Sequence, residues 1–384
     1  MNDAVYIIDA LRTPIAHRYG ALRNVLPEHL GATVLQAILQ RHQLTGKEIA
    51  GLFAGNAVGT GGNLARLTSL YAGLPENIPA LTIDMQCASA AAAIGMAYYQ
   101  AKVEGGVFLA GGMESSSLQP LRVYAPHDPR RPLVQAQNIT GGYMTAQFSP
   151  DTLAEDAMLQ GAERVAEAED ISRAEMDAWA MESHRRALRA QKLGYGHNFI
   201  VPVAGVQADT EPRHLSARLL ARLPLLLGKG THIHAANACL IDDGAAFVLL
   251  ADKNSLQRYA LKPKAKILGV ASFGGAPAES PRGAMHTAEF LLQKFHLRHE
   301  DLQAIEYNEA FAVIDVLFAR AHADCLEKYN RLGGALAYGH PYGASGAIIA
   351  CHLLQSLKIA GGGKGLLAIA GAGGMGTAIL VEAV

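Results

Sequence analysis

The most constraining feature of this chain is that its beginning and its end repeat one another. Near the start come VYIIDALRTP, CASAAAAIGMAYYQ and GGVFLAGGMES; near the end, in the same order, come AKILGVASFG, GASGAIIACHLLQ and GLLAIAGAGGMG. Each set reads as a strand, then a loop leading into a helix of small apolar residues, then a strand closing on Gly-Gly-Met. A chain written this way must fold into two similar halves. An ancient duplication is the economical explanation, and it places a site between them.

The stretches around the repeats keep the same grammar. LGATVLQAILQRHQ has the period of an amphipathic helix, while IAGLFAGNAV, PALTIDMQ, DDGAAFVLLADK and LQAIEY read as strands. The expected fold class is α/β, a sheet with helices on its faces. Residues 1–118 make the first half, completed by about 241–260, and residues 261–384 make the second. The stretch 119–240 differs in character. Leu118 to Gly142 is rich in proline and polar groups without clear period, and the residues after it turn helical, with Ser172 three places ahead of Glu175 as a capping signal. An insertion of this length is expected to be a loop domain that covers a substrate.

Composition excludes several functions. The 384 residues carry 33 basic and 34 acidic groups, a net charge of -1, so neither nucleic acid nor an anionic membrane is an expected partner. No apolar run reaches the length of a membrane span. The opening MNDAVYIIDALRTP does not read as a signal peptide, nor LVEAV as a peroxisomal address. The four cysteines, 87, 239, 325 and 351, show neither CxxC pairing nor a disulfide framework. A soluble, cytoplasmic protein is expected.

Cys87 follows a strand and precedes a helix of small residues. A helix N-terminus offers unpaired N–H groups that favour a thiolate, and a thiolate can carry an acyl group as a thioester. His340, in the glycine-rich GHPYGASG, supplies the base such a nucleophile needs. Asn308, after the strand LQAIEY, can help bind the oxyanion of a tetrahedral intermediate, although a loop-capping asparagine fits its position equally. For Cys239, Cys325 and Cys351 the local reading is a small buried hydrophobe. His232 and His234, read as two apart on one strand, lack further ligands for zinc, and no metal is expected. GAGGMG has no βαβ unit after it and is not a dinucleotide fingerprint.

Taken together, RTPIAHRYGAL, GNAVGTGGNLARLTSLYAGLP, GGMESSS, DISRAEMDAWAMESHRRA, NEAFA and GHPYGASGA, with AANACLIDDGAA more loosely, resemble the thiolase family over essentially the whole chain. The resemblance implies two thiolase-type α/β halves in layers, an inserted loop domain, and a homodimer or homotetramer. It implies acyl-CoA as substrate and no permanently bound cofactor. Cys87 matches the acylated nucleophile, His340 its activating histidine, and Asn308 the asparagine behind an oxyanion-hole water. The amides of Cys87 and Ala372 match a second oxyanion hole. Met158, Ala236, Cys239, Phe311 and Gly339 match positions along the bound CoA thioester.

Three departures stand out. Ala370 occupies the place of the family's second acid–base cysteine, Ala157 that of a pocket histidine in many biosynthetic members, and Cys239 that of a serine. The leading expectation is an acyltransferase that carries its acyl group on Cys87 and makes or breaks a carbon–carbon bond, with His340 or Cys239 standing in for the missing cysteine. One alternative is transfer to a non-CoA acceptor or decarboxylative condensation. Another is a non-catalytic subunit of a multi-enzyme complex.

Overall fold

The structure is a computed structural model that describes residues 4–137, 141–150 and 156–384. Residues 138–140 and 151–155, within the insertion, lie outside the described residues.

In chain order the first half holds β1 (Val5–Arg12), β2 (Ala16–His17), α1 (Pro27–Arg41), β3 (Ile49–Gly55), α2 (Leu64–Tyr71), β4 (Ala80–Ile83), α3 (Ser89–Glu104) and β5 (Val107–Ser115). The insertion follows with a two-residue ribbon, β6 (Arg122–Val123) and β7 (Gly142–Tyr143), enclosing α4 (Arg131–Gln137). It continues through α5 (Ala157–Ala168), α6 (Arg173–Lys192) and α7 (Ala217–Leu220). The chain then returns to the sheet through β8 (Asp242–Asp252) and α8 (Lys253–Arg258). The second half is β9 (Ala265–Gly274), α9 (Gly283–Lys294), β10 (Ala304–Tyr307), α10 (Ala312–Ala321), α11 (Ala335–Tyr338), α12 (Ser345–Ala360), β11 (Lys364–Gly371) and β12 (Met375–Ala383).

Nine of these strands form one mixed sheet in the order β10-β11-β12-β9-β1-β8-β5-β3-β4, and β2 pairs with β8 beside it. The order is nearly symmetric about the β9–β1 seam. On each side of that seam two successive antiparallel pairs precede a parallel one: β1–β8, β8–β5, β5–β3 on one side and β9–β12, β12–β11, β11–β10 on the other. The three repeated segments of the sequence therefore occupy equivalent places, as β1 and β9, α3 and α12, β5 and β11. β8 leaves the first half's own stretch of chain and completes it only after the insertion.

α3 and α12 lie between the halves. α3 touches β3 and β5 of its own half but also β9 and β12, while α12 touches β10 and β11 but also β1 and β8. A helix enclosed on all sides must be apolar all round, and α12 buries twelve of its sixteen residues. The close crossing needs small side chains. A Cβ on Gly346 would stand 2.3 Å from the Ala91 backbone nitrogen. In the insertion, Ser172 accepts from the Glu175 amide while the Glu175 carboxylate accepts from Ser172, so the capping signal forms and starts α6.

Candidate active site

Cys87 sits in the turn between β4 and α3, one residue ahead of the helix cap Ala88. The turn is tightly held. Gln86 has a left-handed φ of 53° without being glycine, a conformation that surrounding contacts must enforce. Ser89 supplies two of them: its Oγ accepts from the Met85 amide at 2.8 Å and donates to the Gln86 carbonyl at 2.5 Å. The Gln86 amide donates to Asp84 Oδ1 at 2.8 Å. The thiol is half-buried, and burial, with Glu114 and Asp84 adding to it, pushes its pKa up to about 12. The expectation of a resting thiolate is thus corrected. At this helix start desolvation outweighs the peptide dipoles, and the sulfur keeps its proton until a base removes it.

His340 lies in the loop between α11 and α12 and is 1 % exposed. Its backbone N–H donates to Asp242 Oδ2 at 2.8 Å. This approach requires glycine next door: Gly339 has φ 99°, and a Cβ there would fall 1.7 Å from the same carboxylate oxygen. The ring's tautomer follows from its partners. With Ser345 Oγ donating to the Pro341 carbonyl at 2.9 Å, it accepts from His340 Nδ1 at 2.5 Å, the assignment in which the ring proton sits on Nδ1. Nε2 then carries the lone pair and faces the Asn308 amide nitrogen at 3.3 Å. Burial lowers the imidazole pKa to about 3. His340 is a neutral ring whose Nε2 lone pair meets the Asn308 amide.

Two buried carboxyls brace this loop. Glu114, at the end of β5, accepts from the amides of Gly343 and Ala57 at 2.9 Å each and from Asn56 Nδ2 at 2.7 Å. It thereby ties the second half's loop to the strand ends of the first. Glycine makes the docking possible, since a Cβ at Gly55 or Gly112 would lie 2.4 or 2.0 Å from the Gly343 carbonyl oxygen. Burial raises the Glu114 carboxyl to about 7 and that of Asp242 to about 8. Asp242 Oδ1 is buried without a hydrogen-bond partner among the described residues.

Asn308 and Phe311 flank the start of α10. Asn308 and Glu309 are buried, and Glu309 accepts from Asn330 at 2.9 Å, Ser183 at 2.5 Å and Trp179 at 3.3 Å, which fixes the turn carrying Asn308. The segment with Cys239 runs beside this turn. Cys239 donates its amide to the Ala310 carbonyl at 3.0 Å, and Ala238 bridges Phe311. Cys239 is half-buried, and after desolvation the largest influence on its thiol is Cys87. Cys239 also packs against the second half's core, and Cys325 and Cys351 are buried as expected.

Cys87, Cys239, His340 and Asn308 therefore converge where the two halves meet. Ala236 is buried and donates its amide to His234 Nδ1 at 3.1 Å. Ala372 lies in the β11–β12 turn; a Cβ on the adjoining Gly371 would be 2.9 Å from the Met85 carbonyl, which brings this turn against the Cys87 loop. Among the described residues neither the Cys87 nor the Ala372 amide donates a backbone hydrogen bond. Met158, half-buried on the first turn of α5, packs with the second half's core. His232 and His234 lie on irregular chain rather than a strand, each on its own carboxylate, Glu163 at 2.5 Å and Asp177 at 2.7 Å. Cavities of about 730 and 620 Å³ open elsewhere, around Lys358 and around Tyr195, and neither is lined by Cys87, His340 or Asn308.

Sequence reasoning missed Asp242, Glu114 and Ser345. The repeat could have revealed Ser345, since it corresponds to Ser89. No local signal marks two acids in apolar strands as buried braces.

Comparison with known proteins agrees with this geometry. Residues 5–254 match the model of the thiolase N-terminal domain and residues 261–383 that of the thiolase C-terminal domain. The chain is 35 % identical over 404 residues to the β-ketoadipyl-CoA thiolase of Pseudomonas aeruginosa, covering 100 % of both. It is 34 % identical over 396 residues to the cytosolic acetyl-CoA acetyltransferase of Mus musculus, covering 99 % of this chain and 98 % of that one. Among solved structures, the Acat5 thiolase of Ascaris suum in complex with coenzyme A superposes with a TM-score of 0.88 at 32 % identity over 100 % of both chains. Human mitochondrial 3-ketoacyl-CoA thiolase in complex with CoA gives 0.90 at 27 % identity, covering 99 % of this chain and 98 % of that one. With both domain models matched and relatives aligned from end to end, the chain belongs to the thiolase family of acyl-CoA acyltransferases.

Proposed function

We propose that this acyltransferase breaks and forms the carbon–carbon bond of 3-oxoacyl-CoA thioesters, with Cys87 as the acyl carrier. The observation that supports this most directly is the docking of the His340 loop, through Glu114 and the close approach of Gly343 to Gly55, beside the helix start that carries the half-buried Cys87 thiol. As the Cys87 sulfur attacks the 3-oxo carbonyl, His340 takes its proton. The Nδ1–Ser345 bond holds the ring in the required tautomer and accepts the positive charge that develops. The free amides of Cys87 and Ala372 receive one oxyanion, and Asn308 beside Nε2 orients the water of a second. Ala236, Cys239, Phe311, Gly339 and Met158 line the path of the CoA thioester. Coenzyme A enters as substrate, and no permanently bound cofactor is invoked.

In this reading residues 1–118 with 241–260 carry the nucleophile, 261–384 carry the base, and 119–240 cover the substrate. The names of the relatives favour it over transfer to a non-CoA acceptor or a non-catalytic role. We further infer a homo-oligomer. β4 ends the sheet with Leu81 50 % exposed, and Leu67, Leu70 and Tyr71 of α2 and Tyr99 of α3 are exposed beside it. Such an edge calls for a cover. Among the described residues no helix is long and apolar enough to cross a membrane, and the four cysteines, free of disulfides, support a cytoplasmic setting.

The test is to incubate the protein with acetyl-CoA, locate the adduct by peptide mass spectrometry, and follow thiolysis of acetoacetyl-CoA by CoA. An acetyl group on Cys87 and rapid thiolysis are expected. A protein that turns over without acylating Cys87 would refute the assignment.

A further inference from the structure

Ala370, next to last in β11, carries a methyl group that can neither give nor take a proton, yet cleaving a carbon–carbon bond leaves a carbanion that must be protonated. The same loop that holds His340 brings a second side chain to the site. The Tyr342 ring stands edge-on to the imidazole, with centroids 4.9 Å apart and planes at 84°. It lies within the electrostatic reach of Cys87, Cys239, Asp242 and Glu114, and burial with these neighbours holds the hydroxyl well above the ordinary phenol range. At neutral pH it is a phenol with a proton to give.

Three tucked-in tyrosines commit their hydroxyls to the fold, which the buried Tyr98 does not. Tyr307 meets His299, Tyr329 donates to Asp315 and Tyr338 to the Leu332 carbonyl. Among the described residues the half-buried Tyr342 hydroxyl has no hydrogen-bond partner. The hydroxyl is thus not committed to the fold and can meet a substrate.

Resting on the reading of Cys87 and His340 given above, we propose that the Tyr342 hydroxyl is the proton donor of the carbon–carbon step, performing the task Ala370 cannot. In cleavage, Cys87 loses its proton to His340 and its sulfur bonds to the 3-oxo carbon. The C2–C3 bond then breaks, its electron pair passing to C2 of the departing acetyl-CoA. Tyr342 O–H gives its proton to that carbon, and the neighbouring imidazolium restores the phenol. Net, the Cys87 proton has moved to acetyl-CoA, and both Tyr342 and His340 are neutral beside the acyl-thioester. Condensation runs these transfers in reverse. Cys239 is the rival donor, but its thiol sits on a short stem, on a segment pinned to Ala310, whereas a phenol reaches much further from its backbone.

The test compares two reactions of Tyr342→Phe in the full-length protein. Exchange of labelled CoA into acetyl-CoA needs Cys87 and His340 but breaks no carbon–carbon bond; thiolysis of acetoacetyl-CoA needs both steps. Tyr342→Phe should lower thiolysis by about 10²-fold or more while exchange stays within about twofold. Unchanged thiolysis, or a parallel loss of both reactions, overturns the proposal; so does loss of thiolysis in Cys239→Ser with Tyr342→Phe unaffected. A wild-type protein that exchanges CoA yet never cleaves acetoacetyl-CoA overturns it too. A wild-type protein that fails even to exchange removes the underlying Cys87–His340 reading instead.

Discussion

The loops leading into α3 and α12 are copies of one device put to different chemical use. In each a serine on the first helical turn returns its hydroxyl to the loop: Ser89 to the Gln86 carbonyl, Ser345 to the Pro341 carbonyl. The repeat sets Cys87 opposite Gly343 and His340 opposite Asp84. In the first loop the serine's second partner is a backbone amide, Met85; in the second it is the imidazole itself. The first loop fixes the place of a nucleophile, and the second also fixes the protonation of a base. Gly343 cannot become a second nucleophile, because its Cβ would fall 2.7 Å from the Asn56 Cα and 2.8 Å from Glu114 Oε2. Duplication supplied two scaffolds, and packing left room for a reactive side chain at different points of each.

The division of labour is broken most severely at the nucleophile. Cys87→Ala should abolish the acyl adduct and reduce thiolysis to the uncatalysed background, measured by intact mass and by turnover. Any adduct on Cys239 in that variant would show that the second segment can also carry the acyl group. His340→Ala removes general-base help and should lower kcat/KM by about 10²–10⁴. Partial return of activity as pH rises is expected, because hydroxide then ionises the thiol that His340 would have deprotonated.

The loops also differ in what underlies them. His340 rests on Asp242, whose carboxyl is raised from its ordinary 3.8 to about 8, chiefly by burial, with Glu211 and Asp243 adding to it and the His340 amide and Arg213 opposing. A raised carboxyl pKa means that the fold prefers the protonated form. This contribution to stability is whole below the unfolded pKa near 4 and is lost as pH rises towards 8. Asp242→Asn keeps an acceptor for the His340 amide and removes the charge. It should raise stability by about 1–3 kcal/mol at pH 8 and by less at pH 5, read from denaturation at both pH values. An equal effect at the two pH values would show that Asp242 is ionised throughout.

Much of this was legible in the sequence, and the limits have physical reasons. The repeat revealed the two halves because strand and helix periods survive divergence, and they appear in the sheet order on both sides of the β9–β1 seam. Cys87 and His340 stood out because each lies in a loop at a helix start, and Asn308, which fits a loop cap equally, because of the NEAFA motif around it. Burial was not legible. Local sequence suggested a thiolate at Cys87, but desolvation depends on α12 and β5, far away in the chain, and reverses that expectation. Asp242 and Glu114 sit in runs that read as ordinary strand, and only the loops docked upon them reveal their work. Nothing near Cys239 in sequence brings it within the influence of Cys87. The order of the insertion escaped for another reason: its contacts are polar and irregular, and its short ribbon and α4 carry too few residues for a period.

The finest test sets the two serines against each other. Ser89→Ala and Ser345→Ala each delete one hydroxyl with two partners, so each should cost about 0.5–1.5 kcal/mol of stability, read from denaturant midpoints. Their catalytic consequences should differ. Loss of Ser89 frees a backbone amide and carbonyl in a turn that Asp84 still holds, and the thiol keeps its place. Loss of Ser345 removes the acceptor that keeps the His340 proton on Nδ1, allowing the tautomer whose Nε2 is already protonated. Ser345→Ala should therefore lower kcat with little change in KM, and Ser345→Thr, which retains the hydroxyl, should restore part of it. Ser89→Ala should leave the pH dependence of kcat as it is. Equal kinetic losses in the two variants would mean that both serines merely hold loops and that the His340 tautomer is set elsewhere.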